Sequence, residues 1–265
     1  MGNLKIKIVN KASEVLRESE GSIEAQLFYD KAYEEGDKII IETSEKNSHL
    51  VIQVDDALGP AQVYLTEHTF TYAIPFGEKR YNLSPKVFSG MQHLLWVRKA
   101  REKEITNYRN LAVNVIDQHG TTNCYPHASA NVETRGEAVF AAKNAIDGVT
   151  ANWSHGQWPY TSWGINQQDD AAFCLEFGRN VAVDEVVLYT RADFPHDNWW
   201  QQVKLSFSDG SEMIWDMEKS ALPHNLKFSV KKIEWIRLSE LIKADDPSPF
   251  PALSQIRVYG KDILE

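Results

Sequence analysis

Short runs of β-branched and aromatic residues, each closed by a turn, recur along the whole 265-residue chain. Such residues favour strands, whereas the glycine, proline and aspartate between the runs interrupt strands and helices alike. Runs at this spacing are typical of antiparallel sandwiches and barrels, so we predict an all-β fold. The clearest predicted strands of the first half are 39–43, 50–54, 62–65, 69–74 and, as the strand that closes the sheet, 93–100.

The second half differs from the first in composition, because seven of the eight tryptophans lie beyond residue 113. A short helical or turn segment, 136–145, comes first, and about seven antiparallel strands follow it. This order predicts a jelly roll or a Greek-key sandwich. The predicted strands are 173–177, 185–190, 202–206, 212–215, 228–230, 235–238 and 254–259, with breaks at 178–180, 208–210 and 244–251.

A charged connector, 102–114, separates the two halves. It contains no Gly/Ser linker, so we expect the halves to pack together rather than to move freely. We therefore predict two β-sandwich domains, residues 1–112 and 113–265, of which the second is the jelly roll.

Charge and hydropathy exclude several classes of partner. The formal net charge is −9, and an acidic surface repels phosphate backbones, so no nucleic-acid binding is expected. No run approaches the roughly 18 apolar residues of a membrane span, so no membrane insertion is expected. The first ten residues lack the apolar core of a secretion signal, which predicts a cytoplasmic protein or a secreted one whose leader has been removed.

The chain has two cysteines, Cys124 and Cys174, too few for a disulfide-stapled scaffold. Cys174 lies in a strand run and is predicted to be a buried thiol, with a bridge to Cys124 as the alternative. No CxxC or HExxH spacing is present, so the sequence does not indicate a classical zinc site.

The run 185–200 combines a predicted strand with a polar, aromatic loop at its end. Paired charged groups suit the hydroxyls of a neutral polyol ring, and a flat aromatic suits its C–H face. This pattern therefore predicts a binding site at the strand end. The alternative is a structural Arg–Asp pair with two tryptophans in the core. The candidate residues are Arg191, Asp193, His196, Asp197, Trp199 and Trp200.

Several motifs of the second half occur in the order of one known family. They are 129–131, 144–148, Trp153, 173–178, 183–189 and 253–260. In this order and spacing, residues 113–262 resemble the discoidin domain, also called coagulation factor 5/8 type C, a family that includes galactose-binding-like carbohydrate-binding modules. The first half resembles no family that its residues identify.

The resemblance implies an eight-stranded jelly roll that holds ligand in loops at one end of the barrel. In carbohydrate-binding members an Arg, a His and an exposed aromatic hold a terminal sugar. Arg191 is similar to that Arg, and His155 or His196 to that His. Trp153 and Trp163 are expected in the core. The candidates for the aromatic are Trp158, Tyr160, Trp199 and Trp200.

Many members of that family also hold a structural calcium ion beside an Asp-Gly turn. The matching positions are the main chain of Asn144, the carboxylate of Asp147 and the main chain of Val149. Oxygen ligands of a tight turn suit a hard cation. Two departures weigh against it: the loop 147–153 is short, and Gln255 stands where a Glu is usual.

We therefore predict a non-catalytic carbohydrate-binding protein, of a bacterial-type two-domain organisation. One alternative is a glycoside hydrolase or polysaccharide lyase that uses Asp193, His196 and Asp197. Glycosidase carboxylates stand several ångströms apart across the bond they cleave, an arrangement that one short loop rarely provides. The other alternative is a protein–protein adaptor. Nothing in the sequence specifies the sugar or an oligomeric state.

Overall fold

The computed structural model describes residues 3–192 and 197–263; residues 1–2, 193–196 and 264–265 lie outside the description. The described chain is built from antiparallel strands, with one five-residue α-helix, α1 (Glu102–Thr106), and short 3-10 turns. No helix within these ranges is long and apolar enough to span a membrane. The predicted all-β class is confirmed.

Two antiparallel sheets face each other in the first half. One has the order β2-β1-β4-β7 and the other the order β10-β6-β5-β8-β3. The strands, in chain order, are β1 (Leu4–Val9), β2 (Val15–Gly21), β3 (Glu24–Tyr29), β4 (Lys38–Thr43), β5 (Ser48–Gln53), β6 (Ala61–Leu65), β7 (Thr69–Ala73), β8 (His93–Lys99), β9 (Arg109–Asn110) and β10 (Cys124–Tyr125). Alternate residues point inward, as in β3, where Ala25, Leu27 and Tyr29 are buried.

The second half is an eight-stranded antiparallel sheet with the order β12-β17-β13-β16-β14-β15, to which β9 and β11 add at the side. Its strands are β11 (His127–Ala130), β12 (Trp163–Gly164), β13 (Phe173–Thr190), β14 (Trp200–Phe207), β15 (Glu212–Asp216), β16 (His224–Lys243) and β17 (Ala252–Asp262). Three short 3-10 helices, Thr134–Gly136, Ala138–Phe140 and Ala142–Ile146, stand where the helical or turn segment was predicted.

Strand β13 changes its pairing partner along its length, while β16 pairs with both of its parts. β13 pairs with β11 before a register shift between Glu176 and Val181, and with β17 after it. Gly178 lies in this shift with φ +66°, and a Cβ there would collide with the ring of Tyr125. Only glycine meets both requirements without strain, which explains the residue at this bend.

The buried apolar side chains form two clusters, one in each half. The chain crosses between them near the predicted boundary at 112/113. β9 pairs with β17 of the second half, whereas Ile116 and Cys124 belong to the buried cluster of the first half. Both cysteines are free thiols, and Cys174 is half-buried rather than fully buried. The division into two domains at 112/113 stays a prediction.

Three side chains, two from the first half and one from the second, contact one another between the two halves. His49 of β5 lies 4.9 Å from the ring of Tyr64 on β6, and the guanidinium of Arg179 from the second half lies 5.1 Å from the same ring. The buried Nδ1 of His49 has no hydrogen-bond partner among the described residues. Burial, aided by the charge of Arg179, lowers the pKa of His49 to about 4.

This depressed pKa predicts an acid-sensitive contact. In the unfolded chain His49 binds a proton near pH 6.5, whereas in the fold it does so only near pH 4. The contribution of His49 to stability is therefore complete above about pH 6.5, and it is lost as the pH falls toward 4. In thermal melts at pH 7.5 and 5, His49→Gln should lose less stability on acidification than the wild type. Equal losses in the two proteins would contradict this assignment.

Candidate functional site

The loop 147–162 joins the last 3-10 helix to β12 and carries three of the candidate site residues, His155, Trp158 and Tyr160. Its base is fixed by Asn152, whose side-chain amide donates to the carbonyl oxygens of Thr190 and Ala221, at 2.7 Å each. Thr190 is the last residue of β13 and directly precedes Arg191. The loop therefore starts at the barrel end where the run 185–200 leaves the sheet.

Two pairs of aromatic residues lie on this loop and beside it, one pair joined by a ring contact and the other by a backbone hydrogen bond. Trp153 is 66% exposed and meets Tyr160 edge to face at 5.5 Å. Trp158 is 40% exposed, and its backbone N–H donates to the carbonyl of the exposed Tyr81 at 2.8 Å. We call Tyr81, Trp153, Trp158 and Tyr160 the aromatic rim. It offers flat apolar faces to solvent on a loop anchored at its base.

Three of the four members of the rim were singled out from the sequence. Trp158 and Tyr160 were predicted to face a ligand, and they are exposed and half-buried respectively. Trp153 was predicted in the core, which is wrong, because its indole stands in solvent. Tyr81 was missed, since it belongs to the first half and no nearby motif marks it. The predicted core position of Trp163 is confirmed.

Arg191 and Asp197 correct the prediction for the strand end. Both are buried, and Arg191 is only 3% exposed. Arg191 Nε lies 3.0 Å from Asp197 Oδ2, and its Nη2 donates to Oδ1 at 3.3 Å. The pair is close but poorly aligned, because Nε makes an ion pair without hydrogen-bond geometry. Burial lowers the pKa of Arg191, which Asp197 partly offsets. Neither group is open to a ligand here, so the alternative of a structural pair holds for them.

Trp200 is likewise a core residue rather than a ligand-facing one. It is 1% exposed and lies 6.4 Å from the ring of Trp163 inside the barrel. Its neighbour Trp199 is half-buried, and His155 is exposed on the same loop as the rim. Asp193 and His196 lie outside the described residues, so their predicted roles stay predictions. Local sequence marks the strand end but not which side chains the fold covers there.

The side chains at the predicted calcium turn make hydrogen bonds within the chain. The Oδ1 of Asp147 accepts from the backbone N–H of Val149 at 2.8 Å, and Gln255 Oε1 accepts from Gly148 at 3.1 Å. Burial raises the pKa of Asp147 to about 7, and the charge of Lys143 acts on the same carboxylate. Calcium prefers six to eight oxygen ligands. Within the described ranges no group of three or more His, Cys, Asp or Glu is placed to hold a metal.

The side chain of Asn144, whose main chain was the third predicted calcium ligand position, has a structural role. Its amide nitrogen donates to the carbonyls of Ala138 at 2.9 Å and Ser162 at 3.2 Å, and its Oδ1 accepts from Asn82 at 2.9 Å. This buried link joins the 3-10 region of the second half to the first half. The calcium site stays a prediction.

The fold and the site together define an all-β protein with a jelly roll and an exposed aromatic surface at one barrel end. The chain belongs to the family described as "Domain of unknown function (DUF7402)", whose model matches residues 123–258. A comparison with curated protein sequences gives no match.

Several solved structures are similar to part of the chain. Chitosan-binding module 1 from a chitosanase/glucanase of Paenibacillus sp. IK-5 is 19% identical; the match covers 57% of this chain and 99% of that one, with a TM-score of 0.41. The family 32 CBM of C. perfringens NanJ in complex with galactose is 20% identical, over 50% and 91%, with a TM-score of 0.39. The lectin domain of lectinolysin with Lewis B antigen is 18% identical, over 58% and 98%, with a TM-score of 0.42.

Proposed function

We propose that this protein binds carbohydrate without cleaving it, through the aromatic rim. The observation that carries the proposal is the exposure of two indoles, Trp153 and Trp158, on one anchored loop. Large apolar side chains at the surface mark interaction sites when they cluster. Flat rings fixed in advance also lose little conformational entropy on binding, so they contribute more affinity per contact.

The polar groups beside the rim favour a hydroxylated ligand over a purely apolar one. His155 and Gln157 are exposed between the two tryptophans, and Ser154 is half-buried there. Imidazole, amide and hydroxyl groups are hydrogen-bond partners for sugar hydroxyls, and the indoles suit the C–H faces of sugar rings. The net charge of −9 disfavours an anionic partner such as a phosphate backbone or an acidic membrane.

The enzyme alternative finds little support among the described residues. Asp197 is paired with Arg191 in the interior, so it is not available as an acid or base at the surface. Asp147 already accepts hydrogen bonds from Val149 and, weakly, from Thr161. Glycoside hydrolysis needs two carboxyl groups that flank the scissile bond. We therefore propose binding alone.

Calorimetric titration of the complete chain tests the proposal. A panel of neutral mono- and oligosaccharides, including galactose, glucose and N-acetylglucosamine and their oligomers, should give saturable heat with at least one member. Micromolar to millimolar affinity is expected for a surface of a few stacking contacts, on the order of 4–8 kcal/mol of binding free energy. Flat heats across the panel, with the protein folded, would remove the proposal.

A further inference from the structure

A cavity of about 180 Å³ lies at the junction of the two halves and adjoins the aromatic rim, because Trp158 belongs to both. Engineered cavities of similar size accept a six-membered ring. Its wall contains both apolar and polar side chains. The polar residues come from both halves: Asn82 and Ser84 from the first, and Asn114, Asp117, Lys143, Asn144 and Asp147 from the second.

Asn82 holds a fixed and unused acceptor in the wall of this cavity. The amide nitrogen of Asn144 donates to two carbonyls, so its Oδ1 must be the atom that faces Asn82. Asn82 therefore donates its amide nitrogen to that oxygen at 2.9 Å, and its own Oδ1 is left over. Asn82 is 3% exposed, and this Oδ1 has no partner among the described residues. A buried acceptor without a partner is costly, unless a ligand or water donates to it.

Lys143 supplies a donor in the same cavity. Its ammonium forms no ion pair within 4.0 Å in the described part of the chain, although Asp117, Asp147 and Glu133 surround it at longer range. Burial lowers the pKa of Lys143, since desolvation outweighs these three carboxylates. Residues that carry an unused acceptor and a donor therefore line one space beside an indole.

We infer that this cavity takes one ring of a neutral carbohydrate, so that the first half of the chain completes the binding site. The inference rests on the proposed function and deepens it. A sugar hydroxyl both donates and accepts, which suits a wall that holds an unused acceptor and a donor. The apolar side chains of the wall and Trp158 suit the C–H face of the ring. An acidic sugar is disfavoured, because the carboxylates of Asp117 and Asp147 line the same cavity.

The test obstructs the cavity without removing any hydrogen bond. Ala57 is an exposed residue on its wall, and its backbone N–H donates to Asp55 Oδ1. Ala12 is also exposed, and its N–H donates to Asn10 Oδ1 with the same two-residue spacing. Ala12 does not line the cavity. Ala57→Trp and Ala12→Trp are therefore a matched pair. The best-binding neutral sugar of the calorimetric panel, and glucuronic acid, are titrated into the complete wild-type and variant chains.

We expect Ala57→Trp to weaken binding of the neutral sugar by about tenfold or more, because the added indole competes for the space of the ring. Ala12→Trp should bind like the wild type, and glucuronic acid should bind more weakly than the neutral sugar. Lys143→Met, which keeps most of the side-chain volume, should weaken binding by about tenfold.

The cavity site and the proposed carbohydrate binding are contradicted by different results. If Ala57→Trp and Lys143→Met bind the sugar as tightly as the wild type does, the cavity inference is overturned and the proposed function stands. Tighter binding of glucuronic acid than of every neutral sugar would overturn the assignment of a neutral ring. Absence of binding by the wild type to the whole panel would overturn both.

Discussion

Replacing Asp262 by Ala is expected to lower the free energy of unfolding by about 3–5 kcal/mol, the range for breaking a buried ion pair from one side. Asp262 lies near the end of β17 and is 6% exposed. Its carboxylate accepts from Arg109 at 2.7 Å and from Arg179 on β13. Burial lowers the pKa of Arg109, and Asp262 counteracts that effect. Without the carboxylate, two guanidinium groups would face each other with no counter-charge.

Denaturant unfolding of the complete chain measures this loss. Asp216→Ala is the control, because Asp216 is an exposed aspartate at the end of β15 whose contact is a hydrogen bond from Gln202 at 2.7 Å. A surface change of this kind is expected to alter stability by about 0.5 kcal/mol or less. If Asp262→Ala cost no more than Asp216→Ala, the three-residue network would have no special role in stability.

The double variant Trp153→Ala, Trp158→Ala is expected to lower carbohydrate affinity by about 100-fold. Each indole supplies a stacking surface, and a loss of about 1.4 kcal/mol for each truncated ring lowers affinity about tenfold. Stability should change little, because both side chains stand largely in solvent. Calorimetry with the best-binding sugar of the panel gives the affinity, and a thermal melt checks that the fold is intact.

Ile214→Ala is the matched control for this pair. Ile214 is 66% exposed, the same fraction as Trp153, and it lies on the edge strand β15, which is not part of the rim. Its loss should leave affinity within about twofold of the wild type. Equal affinities of the wild type and the double tryptophan variant would mean that the rim does not contact the sugar.

Local sequence predicts several of the short strands of this chain, although β2 and β3 were not predicted. The predicted runs 39–43 and 50–54 correspond to β4 and β5. The long strands were not predicted. Residues 178–180 were expected to break a strand, yet β13 continues through them, and the runs 228–230 and 235–238 are one strand, β16. Bulges and a glycine bend allow ladder pairing to continue past residues that end a strand elsewhere.

The site was harder to predict because exposure depends on distant parts of the chain. Arg191 and Trp153 are both residue types that occur in binding sites, but the fold buries the first and exposes the second. Tyr81 and Asn82 reach the site from the first half, and they are separated from Trp158 by more than 70 positions in the sequence. No local periodicity carries such a contact. The sequence did predict candidate binding residues in the loop that carries Trp158, because aromatic and polar residues alternate there.

A crystal structure of the complete chain soaked with the best-binding neutral sugar tests the central claim most directly. The account predicts a sugar ring whose C–H face lies against the indole of Trp153 or Trp158, at the barrel end where Asn152 bonds Thr190. A sugar bound anywhere else on the chain, with both indoles uncovered, would contradict it.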